Sequence, residues 1–160
     1  MRNAVVIGAV LGAAVVGSDD FAQAAQGTRP MPDPCSLLTK ADIQRATGRA
    51  DVMRLANQSD QMPGGQPVCS FDGGDDLSIE LIIYSRTVTT ALATPEGAEA
   101  IDGVGSGAYL RSAPGNIEVF TISSPTSAYA LHVGLQSDAS VDAMRPMAIA
   151  LAQTAVTKLK

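Results

Sequence analysis

The sequence predicts an α+β fold: an antiparallel sheet of about five strands, with a short N-terminal helix and a C-terminal amphipathic helix packed on it. Three observations predict it. Residues 77–85 alternate with a strand period, Leu77, Ile79, Leu81 and Ile83 on one face and Ser78, Glu80, Ile82 and Tyr84 on the other. Short turn-forming stretches separate this segment from other strand candidates, and short connections favour antiparallel pairing. From Ser140 onward the period becomes helical, with Val141, Met144, Ala148, Leu151, Ala152, Ala155, Val156 and Leu159 on one stripe.

Each element has a local reason. Thr39 is a good N-cap, Asp42 three residues on completes an approximate capping box, and Leu38 and Ile43 suit a hydrophobic staple. Gly48 is a natural residue just past a helix end, so the first helix is expected over 40–47. Strands are expected at 68–71, 77–85, 108–111, 117–123 and 128–135. Between them lie the turn sequences Asp72-Gly73-Gly74-Asp75-Asp76, Ala113-Pro114-Gly115-Asn116 and Ser124-Pro125-Thr126-Ser127. Residues 51–66 show no clean period. Residues 87–101 are ambiguous, with Thr94-Pro95-Glu96 suited to start a short helix. Pro146 either kinks the last helix or marks its first turn.

The first 24 residues read as a cleavable signal peptide. Arg2 supplies a positive start, residues 4–16 form an uncharged apolar run, and Ala22-Gln23-Ala24 offers small residues before a cut. That run is short of the roughly 20 residues a bilayer span needs, so no stable membrane anchor is expected after cleavage. Residues 25–34 are Pro-rich and read as a flexible leader, leaving 35–160 as one domain. The net charge of −5 and the lack of a basic run argue against nucleic-acid partners. Aromatic residues make up only 4% of the chain, which argues against base-stacking and sugar-stacking platforms.

Cys35 and Cys69 are the two cysteines. In an exported chain they are expected to pair as a structural disulfide, since neither a close C-x-x-C nor a set of further metal ligands accompanies them.

Pro34-Cys35-Ser36-Leu37-Leu38-Thr39, a short helix ending at Gly48, and a second cysteine near an aromatic residue (Cys69, Phe71) resemble the opening of an actinobacterial family of secreted proteins and lipoproteins of unknown function. Asp102-Gly103-Val104-Gly105-Ser106-Gly107-Ala108-Tyr109 is similar to that family's Gly-rich segment. The resemblance implies a disulfide-linked α+β sandwich outside the cytoplasm and no known activity. The chain departs from the lipoprotein members in lacking a lipidation cysteine after the apolar run.

No motif marks a catalytic, cofactor or metal site. His132 is the single histidine, on a strand face shared with Ala128, Ala130 and Gly134, and reads as a sheet-face residue. The glycines of 103–107 match neither a dinucleotide fingerprint nor a nucleophile elbow, and the segment reads as a loop. Asp72, Asp75 and Asp76 lack EF-hand spacing and read as a solvated turn. Met53, Met62, Met144 and Met147 read as packing residues, and Asn57-Gln58-Ser59 as a chance match to a glycosylation acceptor. The expectation is therefore a non-enzymatic extracytoplasmic binding or accessory domain, with a protein or cell-envelope component as partner and no cofactor. Alternatives are a periplasmic immunity or inhibitor protein acting on a toxin or hydrolase, and, less favoured, a hydrolase using scattered carboxylates.

Overall fold

The computed structural model describes residues 30–55, 66–74, 76–85 and 96–159. The proposed signal peptide, Asp75, Met62 and Asn57 lie outside the described residues. Helix α1 spans Lys40–Thr47 with the full capping box: the Thr39 hydroxyl accepts from the Asp42 amide, and the Asp42 carboxylate accepts from the Thr39 amide. Gly48 ends it in the left-handed region at φ 72°, which a glycine adopts without strain.

The sheet has seven strands, against the five expected. Strands β2 (Val68–Asp72), β3 (Leu77–Ser85), β5 (Gly107–Ala113), β6 (Asn116–Ile122) and β7 (Tyr129–Ser137) fall on the five predicted segments. The two additions are β1 (Met53–Arg54) and β4 (Glu99–Ile101). At two and three residues they are too short to carry a period of their own. They form because β2 and β5 offer ladder partners, Arg54 opposite Phe71 and Ala100 opposite Tyr109. Residues 99–101 are thus strand, while Thr94 and Pro95 of the expected helix start lie outside the described residues. The strand order is β1-β2-β3-β7-β6-β5-β4, antiparallel throughout. The hairpin β2–β3 and the meander β4–β7 meet where β3 pairs with β7 over nine residues.

Helix α2 (Val141–Lys158), capped by the Ser140 side chain, lies with α1 on one face of the sheet. Its buried residues are Met144, Ala148, Leu151, Ala152, Ala155 and Val156, all on the predicted stripe. They close a core with Ile79, Leu81 and Ile83 of β3, Ile117 and Val119 of β6, and Leu131, Val133 and Leu135 of β7. Each such Leu or Ile contributes about 1.5–3 kcal/mol of burial free energy. Pro146 lies inside the helix rather than at its start. Having no N–H, it leaves the Asp142 carbonyl without its helical donor, a fault tolerable on the exposed side of the second turn. Lys158 reaches across to Asp42 at 3.0 Å and joins the two helices. No described helix is long and apolar enough to cross a membrane.

Two fixtures hold the ends of the sheet. Cys35, in a 3₁₀ turn at Pro34–Ser36, is bonded to Cys69 of β2, with Cα atoms 5.0 Å apart. The turn's Pro34 is buried, and the Tyr129 hydroxyl donates to the Pro30 carbonyl at 3.3 Å, so this segment is tied to the fold. At the other end, Gly105 turns the chain at φ 57°; a Cβ there would lie 2.1 Å from the Ile122 carbonyl oxygen. The adjacent Val104 is buried, and its carbonyl accepts from the Thr121 hydroxyl at 3.1 Å. The Gly-rich segment therefore has a structural use.

Candidate functional site

With both described helices on one face, the alternation of the strands sends a second set of side chains to the other, where Val68, Ile82, Ala130 and His132 are nevertheless buried. Register fixes their arrangement. One row across the sheet runs Val68, Ile82, His132, Phe120, Tyr109. On one side of it the row is polar: Ser70, Glu80, Gly134, Glu118, Arg111. On the other side it is apolar: Tyr84, Ala130, Ile122, Gly107. His132 stands where the two halves meet.

The His132 ring lies nearly parallel to that of Phe120, with centroids 4.6 Å apart and planes 11° from parallel; Tyr84 is a further neighbour at 6.5 Å. The residue is only 7% exposed. Its Nε2 is 3.6 Å from Oε1 of Glu118, an ion-pair separation too long for a hydrogen bond. Neither ring nitrogen has a hydrogen-bond partner among the described residues. A buried polar atom without a partner is costly, typically about 1–3 kcal/mol, and calls for an explanation.

Glu118 is held on its other side by Arg111, whose Nε donates to Oε2 at 2.6 Å. Its carboxyl is lowered to about 2, first by the contact with His132 and then by that with Arg111, against the opposing effect of burial. It is a carboxylate throughout the neutral range. Glu80, across Gly134 from Glu118, has no ion-pair or hydrogen-bond partner among the described residues. The Tyr84 phenol is pushed up, first by burial and then by the charges of Glu80 and Glu118.

Small residues leave two hollows in this surface. One, of about 220 Å³, is lined by Tyr84, Tyr109, Phe120, Ile122 and Ala130. The other, of about 170 Å³, is lined by Ser78, Glu80, Asn116, Glu118, His132 and Gln136 around Gly134. Gly134 does not have a positive φ, so its backbone does not require glycine. A Cβ there would meet His132 Cε1 at 3.7 Å and Nε2 at 3.8 Å, within ordinary contact. Among the described aromatic residues, Phe71 and Tyr129 belong to the core, whereas Tyr84, Tyr109 and Phe120 surround the first hollow. Low aromatic content predicts no stacking platform; the sheet register nevertheless gathers these three rings on one face.

No family model, curated protein or solved structure matches the chain.

The other sequence candidates are placed elsewhere. Asp72 accepts from the Gly74 amide at 2.9 Å, and Asp76 pairs with Arg49 at 2.7 Å, so both are engaged within the β2–β3 turn region. Met53 is exposed on β1, Met144 is in the core, and Met147 packs against it. Among the described residues no three His, Cys, Asp or Glu side chains are grouped to hold a metal ion. Sequence reasoning placed His132 on its face but did not connect it with Glu80, Arg111, Glu118 and Phe120. The available signal was Gly134: a glycine inside a long buried strand often marks a close approach by something else.

Proposed function

We propose that the chain is an exported, non-enzymatic binding domain that takes its ligand on the sheet face opposite α1 and α2. One observation carries the reading: two hollows flank a buried histidine whose ring nitrogens lack partners among the described residues, on the face opposite the described helices. Aromatic walls beside a few convergent polar groups are the ordinary composition of a binding site. Glu118, held as a carboxylate by its contacts with His132 and Arg111, is itself poorly suited to donate a proton at neutral pH. The apolar run at 4–16 and the Cys35–Cys69 bond support export. Exported protein is expected to begin at Ala25, and N-terminal sequencing that finds Met1 retained would overturn that part.

Hydroxyl-radical footprinting tests the binding face. In soluble extract of the source cell envelope, Tyr84, Tyr109 and Phe120 should lose reactivity while Met53 keeps its own. Protection absent from the three rings, or confined to the helical side, would contradict the proposal.

A further inference from the structure

From the same face, and resting on the reading of it as a binding site, we infer that the ligand is a small organic cation: a protonated amine held between Glu80, Glu118 and His132, carrying an apolar group that lies against Tyr84, Phe120 and Tyr109. Charge selects the sign. Among the described residues the polar hollow is lined by two carboxylates and no Lys or Arg. The neighbouring guanidinium of Arg111 is spent on Glu118, through Nε and Nη2 on the same oxygen. Glu80 has no partner among the described residues, so no described side chain neutralises the second carboxylate of the hollow. An anion entering it would meet that charge with no free cation among the described lining residues to receive it.

The remaining lining groups suit a donor. Ser78, Asn116 and Gln136 also line the hollow, and each carries an oxygen able to accept a hydrogen bond. A neutral His132 ring offers one accepting nitrogen, and neither ring nitrogen has a partner among the described residues. An ammonium group has three donors and no acceptor, which matches carboxylate, carboxylate and imidazole nitrogen. The adjoining aromatic hollow adds a second attraction for the same sign of charge, because ring faces are negative. The combined space of the two hollows suits a small molecule rather than a folded partner's surface. Gly134 explains itself in this light: any side chain there would enter the space between His132 and Glu80.

Because His132 is the single histidine, its imidazole ¹H–¹⁵N signals need no assignment against others. The purified protein is titrated in parallel with 2-phenylethylammonium, 2-phenylethanol, phenylacetate and zinc chloride. The ammonium probe should shift the imidazole signals at the lowest concentration. Glu80→Gln, with an unchanged melting temperature, should weaken its binding about fivefold. Equal or tighter binding of the alcohol or the acid would overturn the charge assignment and leave the binding face standing. A stronger response to zinc would overturn it in favour of metal ligation. If none of the four probes perturbs His132, both the inference and the binding face on which it rests are contradicted.

Discussion

Reduction of the Cys35–Cys69 bond should destabilise the fold by about 4 kcal/mol. The bond spans 34 residues of sequence. Closing a loop of that length removes enough freedom from the unfolded chain to give about this value in the chain-entropy model. The native side adds a specific consequence. Cys69 is fully buried on the core face of β2, beside Phe71, and Cys35 lies in the turn that leads into the Thr39 cap. Opening the bond frees the 3₁₀ turn from the sheet, whereas α1 keeps its cap, its staple and the Lys158–Asp42 contact. Stability should therefore fall without loss of the fold. Urea melts of oxidised and reduced protein, each confirmed by thiol titration, give the difference directly. For a domain of this size about 4 kcal/mol corresponds to a fall in Tm of roughly 10–20 °C. A difference below about 1 kcal/mol would refute the reasoning, because it would mean that the unfolded chain is not constrained by the bond. Collapse to an unfolded chain on reduction would refute it from the other side.

Leu151→Ala should cost about 2–4 kcal/mol, because Leu151 is buried between α2 and the sheet. Thr154→Ala on the same helix should cost less than about 0.5 kcal/mol, and equal effects in denaturant melts would mean that α2 is not docked by its stripe. Gly105→Ala should cost at least about 2 kcal/mol, since it combines a left-handed backbone with a clash against the Ile122 carbonyl; a melt shifted by less than about 0.5 kcal/mol would contradict that turn. Glu118 should give an acid-side signature. Its carboxyl is lowered from 4.5 to about 2 on folding, so its contribution is present above about pH 4.5 and lost as pH falls through about 2. The stability gap between wild type and Glu118→Gln should narrow over that window, and a gap independent of pH would show that the Glu118 contacts do not form.

Much of the architecture was legible because its signals are local. The Thr39–Asp42 box and Gly48 bracket α1, the apolar stripe defines α2, and alternation defines β3. What escaped was what pairing alone creates. Met53–Arg54 and Glu99–Ile101 hold too few residues for a period, and become strands only beside β2 and β5. The same limit hid the site. Alternation puts His132 and Gly134 on one face of β7, but only the β3–β7 and β6–β7 registers bring Glu80 and Glu118 to either side of Gly134 and Phe120 against His132. Those registers join residues far apart in sequence, and nothing in the local pattern encodes them.

The central claim is that the sheet face opposite α1 and α2 receives the ligand, and filling the hollow around Gly134 tests it most directly. Gly134→Val places a β-branched side chain where strand geometry welcomes one and where a Cβ makes only ordinary contacts. Binding of the ammonium probe should fall at least about tenfold, and the footprint on Tyr84, Tyr109 and Phe120 in envelope extract should disappear, while the melting temperature holds. Unchanged binding and an unchanged footprint in a folded Gly134→Val variant would contradict the account.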